Sequence, residues 1–255
     1  MLEIKNLSCG YEKTILENIS FTGESGDIVC ILGANGSGKS TLIKTIVGLL
    51  EPHSGDVFIE NENIKNWSWK KRAQSISYIP QTFSSTFQYK GIDIVLMGRT
   101  SYLGLASSPS EKDLEIAEKS MEKLKILHLK DKVYSKMSGG ERQLVKIAQA
   151  LAQESKIIVM DEPTNNLDFG NQITMLNHLK QCAEMGMTVV MATHFPDQAL
   201  AYGTKALLVK NGEVEVIPNP KENITEKALQ NLYNVNIKIF ELDFKDTTMK
   251  MCLPV

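Results

Sequence analysis

Short apolar runs and longer stretches of helical period succeed one another along this chain. Leu2-Glu3-Ile4-Lys5-Asn6-Leu7 alternates with period two and predicts a half-buried strand from the first residues. Ile28-Val29-Cys30-Ile31-Leu32 is a continuous apolar run, as in a strand covered on both faces. Leu42, Ile43, Ile46, Val47 and Leu50 follow at helical spacing. Pro52-His53-Ser54-Gly55 marks a turn before the strand Val57-Phe58-Ile59. Ile76-Ser77-Tyr78-Ile79 predicts another strand, stopped by Pro80-Gln81.

From Gly91 to about Gln153 the period is helical. Ile92, Val95 and Leu96 form one stripe, and Leu114, Ala117, Met121 and Leu124 another. Strands return at Ile157–Met160 and Thr188–Ala192, separated by a helix from about Asn171 to Met185 that ends at Gly186. Ala206–Val209 and Val214–Ile217 flank Asn211-Gly212, a hairpin signal. After Pro218 and Pro220 come a helix near Thr225–Tyr233 and an alternating set, Ile237, Ile239 and Leu242. The helical block, about 91–153, therefore reads as a subdomain inserted between strand-rich segments. No internal repeat or low-complexity segment interrupts the pattern.

Size and charge narrow the class. The 255 residues suffice for one large α/β domain or two small ones, and the net charge is −2. Such a balance gives no footprint for nucleic acid or acidic lipid. The four cysteines, Cys9, Cys30, Cys182 and Cys252, form no metal-ligand spacing and read as small core residues of a reducing compartment. The opening strand leaves no room for a signal peptide, and apolar runs reach about seven residues where a bilayer span needs roughly 20. The expectation is a cytoplasmic protein that reaches a membrane only through a partner.

Chemistry enters at Gly33-Ala34-Asn35-Gly36-Ser37-Gly38-Lys39-Ser40, which fits G-x-x-x-x-G-K-[ST] between a strand and a helix. Glycines let the backbone wrap a polyphosphate, and successive N–H groups form an anion nest at a helix N-terminus. Lys39 offers a mobile charge to the β- and γ-phosphates, and the Ser40 hydroxyl suits Mg²⁺. Gly33, Asn35, Gly36, Ser37, Gly38, Lys39, Ser40 and Thr41 are the candidate cradle for ATP. The strand Ile157–Met160 ends in Asp161-Glu162-Pro163. Alone, that pattern is equally a solvated acidic turn. Beside a phosphate loop, Asp161 becomes a candidate Mg²⁺ ligand and Glu162 a general base for the attacking water.

Met137-Ser138-Gly139-Gly140-Glu141 opens a further helix carrying Leu144, Ile147, Ala148 and Leu151. Ser138 and Glu141 fit a capping box. Capping leaves two adjacent glycines unexplained, and a serine hydroxyl with bare N–H groups makes a second phosphate site.

These motifs together resemble the ATP-binding-cassette (ABC) ATPases over essentially the whole length. Met137–Glu141 is similar to the family signature Leu-Ser-Gly-Gly-Gln, with Met137 for Leu and Glu141 for Gln. The resemblance assigns Ser138, Gly139 and Gly140 to ATP held by another chain, and a Glu141 facing phosphate would weaken that contact. By the same resemblance Gln81 is the glutamine linking Mg²⁺ and the attacking water to the helical insert. Asp168, ending Thr164-Asn165-Asn166-Leu167-Asp168, is the acidic residue of the D-loop. His194 is the switch histidine at the γ-phosphate, and Tyr11 is the aromatic that stacks on adenine. A tyrosine in a strand and a lone histidine also have ordinary structural readings.

The fold implied is α/β, a P-loop NTPase (RecA-like) core with an antiparallel β subdomain and the inserted α-helical subdomain. The nucleotide-binding domain would span 1–235, with a short β tail at 236–255 packed on it. One phosphate loop and one signature per chain imply a second copy, two ATP molecules being sandwiched head to tail. No fused span, second cassette or coiled-coil insertion is present. This favours an importer subunit peripheral to the cytoplasmic side of the cell membrane, partnered by an integral-membrane permease dimer and, through it, an extracytoplasmic substrate-binding protein, with no nucleic acid. Val95–Thr100 with Tyr102–Gly104, Leu167–Gln172, and Leu232–Val235 with Cys252–Pro254 resemble iron-siderophore, haem and cobalamin importers. The competing class is an ABC ATPase of a soluble assembly or repair machine without a permease. The chelate itself is chosen by the binding protein and permease, and oxyanions such as molybdate stay open.

Overall fold

The structure, a computed structural model, describes residues 1–81, 88–104, 107–244 and 247–255. Residues 105–106 of the expected helical block and 245–246 of the expected tail lie outside the described residues. The chain divides into two compact units, Met1–Asn66 with Cys182–Val255, and Trp67–Gln181.

The first unit opens with β1 (Leu2–Gly10), β2 (Thr14–Gly23), β3 (Ile28–Leu32), α1 (Lys39–Ile46), β4 (Ser54–Ile59) and β5 (Glu62–Asn63). The second holds α2 (Trp69–Ser75), β6 (Ile76–Ile79), α3 (Gly91–Leu96), α4 (Glu111–Lys123), α5 (Gly139–Ala152), β7 (Ile157–Asp161) and most of α6 (Phe169–Glu184). The first unit resumes with β8 (Thr188–Thr193), α7 (Pro196–Tyr202), β9 (Lys205–Lys210), β10 (Glu213–Pro218), α8 (Pro220–Asn223), α9 (Glu226–Tyr233), β11 (Ile237–Phe244) and β12 (Thr247–Pro254).

In the first unit β1 lies between β2 and β4, antiparallel to both, with β5 beyond β4. Leu2, Ile4, Leu7 and Cys9 are fully buried along β1. β3 is buried at all five positions because it runs between two parallel neighbours, β8 and β9. Each such side chain contributes about 1.5–3 kcal/mol by leaving water. The register pairs Leu32 with Thr193 and with Leu208. The residues after Leu32 and after Thr193 thus emerge side by side at the carboxyl ends of adjacent strands. β9 and β10 turn through Asn211 and Gly212 at φ 51° and 88°, the left-handed pair a two-residue hairpin needs. In the tail Ile237 is buried and Ile239 half-buried, whereas Leu242 is exposed. An odd step of three reverses the face of a strand, so Leu242 does not belong with the other two.

In the second unit β6 and β7 are parallel, with Ile79 opposite Met160. Pro80-Gln81 and Asp161-Glu162 therefore leave neighbouring strand ends together. α4 sits differently from the apolar pattern. Ala117, Met121 and Leu124 are buried as expected, but Leu114 is 41% exposed and Asp113 is buried instead. Asp113 closes the capping box with Ser110 and meets the buried Arg99, Nε to Oδ1 3.0 Å, which turns the first turn of the helix inward. Arg99 also donates to Ala152 O (2.8 Å) and Glu154 Oε2 (2.6 Å). α2 has no apolar stripe and buries no residue; its one local signal is Ser68, whose hydroxyl accepts from Lys71 N at 3.2 Å.

Candidate functional site

The loop after β3 is shaped by where a Cβ cannot go. Gly38 has φ 105°, and a Cβ there would come within 2.9 Å of Ile15 Cγ2. Gly36, at φ 79°, has nothing within 4 Å of its Cβ position, so its backbone is open to an approaching group. Ser37 N donates to Ala34 O at 3.2 Å, closing the turn. Lys39 is 5% exposed and its ammonium donates to Gly33 O (2.8 Å) and Ala34 O (3.0 Å), bracing the loop from inside. α1 then begins with no acidic residue in its first turn, leaving its N-terminal dipole unneutralised. Ser37 Oγ is buried with no hydrogen-bond partner among the described residues. An orphaned hydroxyl, open backbone and a helix N-terminus all fit a polyphosphate.

Tyr11 is 55% exposed, and its hydroxyl accepts from Lys44 Nζ at 3.3 Å. An exposed ring fits the stacking role, and the ordinary core reading does not. Ser40 is exposed and Thr41 buried on the first turn of α1. His194 follows Thr193 at the end of β8, half-buried beside Phe195, ring centroids 4.1 Å apart. Its carbonyl accepts from Tyr233 Oη at 3.1 Å, and Thr193 Oγ1 bonds Gln198 Oε1 (2.8 Å) and Phe195 N (3.1 Å). The segment carrying the histidine is thereby fixed to α7 and α9.

In the second unit Asp161 is 6% exposed at the end of β7. Glu162 follows with φ 49°, a left-handed conformation that costs a non-glycine residue about 1–2 kcal/mol. The reversal brings its carboxylate to Gln81, whose Nε2 donates to Oε2 at 3.1 Å. Asn165 Nδ2 donates to the same oxygen, and Asn165 N to Glu162 O at 3.2 Å. Two amides thus aim one carboxylate. These residues border a cavity of about 270 Å³, also lined by Tyr134, Arg142 and Lys146. Burial pushes the Lys146 ammonium down to about 8.

Ser138 caps α5, its hydroxyl accepting from Glu141 N at 3.2 Å. Glu141 Oε2 accepts from Ser138 N at 2.8 Å, and Lys132 Nζ meets the same carboxylate at 2.7 Å. The carboxylate is turned into the cap, and hydrogen bonds from Lys132 and Ser138 hold it below the usual carboxylate range. Gly140 has a packing reason of its own: a Cβ would stand 2.7 Å from Asn171 Cγ on α6. At Gly139 a Cβ would stand at ordinary contact distance, 3.4 Å from Leu167 Cδ2 and 3.9 Å from Asn166 O. Asp168 accepts from Asn171 N (2.9 Å) and Asn171 Nδ2 (2.6 Å), which makes it the cap of α6 and lowers its carboxyl.

Among the described residues no group of three or more His, Cys, Asp or Glu could hold a metal. A Mg²⁺ ion bound through one carboxylate, a hydroxyl and phosphate oxygens needs no such cage. Also among the described residues, no helix is long and apolar enough to cross a membrane. Sequence reasoning did not single out Asn165, Lys44 or Lys132. Asn165 lay within a motif, while the two lysines carry no signal beyond their charge.

Residues 16–165 match the ABC transporter family. An uncharacterised ABC transporter ATP-binding protein of Haemophilus influenzae is 42% identical over 82% of this chain and 80% of its own length. The molybdate import ATP-binding protein MolC of the same organism is 33% identical over 100% and 96%. The ferric enterobactin transport ATP-binding protein FepC of Escherichia coli is 32% identical over 93% and 88%. Among solved structures, an inward-facing metal-chelate type ABC transporter matches with a TM-score of 0.90 and 32% identity, covering 100% of this chain and 97% of the other.

Proposed function

This chain belongs to the ABC transporter family of ATP-binding, ATP-hydrolysing subunits, and we propose that it drives uptake of a metal chelate of the iron-siderophore, haem or cobalamin type through a separate permease. The observation that carries the reading is the 3.1 Å contact of Gln81 with Glu162, which ties a glutamine beside the helical insert to the candidate base. The full-length likeness to a metal-chelate type transporter supports the substrate class, and the molybdate and ferric-enterobactin relatives bracket it.

In this reading Glu162 accepts the proton of the attacking water, while Gln81 and Asn165 hold its oxygen in place. Gly33–Thr41 bind the phosphates, Tyr11 stacks on adenine and His194 contacts the γ-phosphate. Ser40, Asp161 and Gln81 would hold Mg²⁺. What Mg²⁺ supplies when bound is charge neutralisation on the β- and γ-phosphate oxygens. Ser138, Gly139 and Gly140, with Asp168 nearby in sequence to the catalytic strand, serve the ATP of a second copy. The protein then works on the cytoplasmic side of the membrane, and the chelate reaches the permease from an extracytoplasmic binding protein.

Co-purification with the permease and ATPase assays in vesicles test this. Turnover should rise when chelate-loaded binding protein is added. A chain that neither associates with a permease nor responds to any chelate or oxyanion would instead fit the soluble machine.

A further inference from the structure

We propose that His53 is a positioning residue for nucleotide binding: its imidazole holds the main chain of Tyr11 so that the ring is in place before ATP arrives, which rests on the reading of Tyr11 as the aromatic that stacks on adenine. His53 Nε2 lies 3.0 Å from Tyr11 O, and Nδ1 lies 2.9 Å from Thr14 Oγ1. A carbonyl oxygen only accepts, so Nε2 carries the proton, and in the neutral ring Nδ1 accepts from the Thr14 hydroxyl. One imidazole thereby spans Tyr11-Glu12-Lys13, the bend between β1 and β2.

The imidazole is presented from a fixed main chain. His53 N donates to Ser8 O at 2.8 Å, and the next residue, Ser54, pairs with Ser8 in the β1–β4 ladder. The other end of Tyr11 is held from α1, where Lys44 Nζ donates to its hydroxyl at 3.3 Å and stands 6.0 Å from the ring centroid. α1 begins at the phosphate loop, so the two contacts set the place of Tyr11 relative to that loop, one at its backbone and one at its phenol. The strand ladder already closes the turn, with Cys9 opposite Leu16 and Gly10 opposite Thr14. The bond to Tyr11 O adds to that closure, and what it orders is the residue carrying an exposed ring. A ring ordered beforehand loses less freedom on stacking, which strengthens binding without any contact between His53 and the ligand. As sequence, His53 belongs to the turn signal Pro52-His53-Ser54-Gly55 and carries no mark of this role.

Equilibrium titrations of the full chain with ATP and with inorganic tripolyphosphate test the assignment, since only ATP has a base to stack. His53→Ala should weaken ATP binding about two- to tenfold and leave tripolyphosphate binding unchanged. His53→Gln, whose amide N–H can reach where Nε2–H stood, should restore wild-type ATP affinity. Tyr11→Ala should weaken ATP binding alone, and His53→Ala in that background should add nothing. Wild-type ATP affinity in His53→Ala, an equal loss for both ligands, a glutamine that fails to restore, or losses that add in the double variant would overturn the proposal. If Tyr11→Ala binds ATP as wild type does, the stacking reading falls and the role of His53 falls with it. If Tyr11→Ala weakens ATP binding and His53→Ala does not, the stacking reading stands and His53 alone loses its role.

Discussion

Gln81 Nε2 donates to Glu162 Oε2 across 3.1 Å, from the ends of two paired parallel strands. The register of β6 and β7 brings their backbones out together, and the left-handed turn at Glu162 aims the carboxylate at the amide. Glu162→Gln is therefore expected to retain ATP binding and lose turnover by about 10²–10⁴, the range of a general base. Single-turnover hydrolysis with an equilibrium nucleotide titration separates the two effects.

Asn165→Ala should lower kcat with KM for ATP within about twofold, since the amide touches Glu162 and acts only in orienting it. Steady-state kinetics check this. A KM that rises while kcat holds would place Asn165 in nucleotide binding instead.

Lys39→Ala removes the only cation in Gly33–Thr41. A charge-assisted contact is worth about 1.5–3 kcal/mol, so ATP affinity should fall roughly 10–100-fold in an equilibrium titration.

Much of the fold that carries the candidate site was legible in the sequence because backbone chemistry dictates it. Ile28–Leu32 reads as a fully covered strand and is one, and Gly186 at φ 90° ends α6 where a left-handed residue was expected. Asn211-Gly212 likewise turns its hairpin. What escaped depends on tertiary partners. Leu114 shares the period of Ala117 and Met121, yet the buried Arg99 draws Asp113 inward in its place. Glu141 was expected to matter if it faced phosphate; Lys132, distant in the motif's own pattern, turns it into the cap. The strain at Glu162 has no sequence signature, since glutamate rarely adopts φ 49° without surroundings that enforce it.

Glu141→Gln should accordingly keep the capping box and lose only a half-exposed ion pair. Stability should change by less than about 1 kcal/mol in urea, and turnover should stay near wild type.

Arg99→Met should destabilise the fold by about 1.5–3 kcal/mol in chemical denaturation, because Asp113 loses its cation and keeps only its hydrogen bonds from Ser110. Lys119→Met, which breaks an exposed pair at 3.8 Å, should cost under about 0.5 kcal/mol. The hydroxyl and N–H of Ser110, then Arg99, hold the Asp113 carboxyl down at about 2. A depressed carboxyl contributes stability that is complete above its unfolded value near 3.9 and is lost as pH falls through the folded one. Acid denaturation of wild type should show this loss between about pH 4 and pH 2, and Arg99→Met should show less of it.

The central claim is that ATP joins two copies, each completing the other's site. Light scattering of Glu162→Gln at low micromolar concentration tests it most directly. With ATP and Mg²⁺ the mass should be twice 28.4 kDa, without nucleotide a single chain, and Ser138→Arg in the same background should stay single under both conditions. A Glu162→Gln chain that binds ATP and remains single, or a Ser138→Arg chain that pairs and hydrolyses as before, would contradict the account.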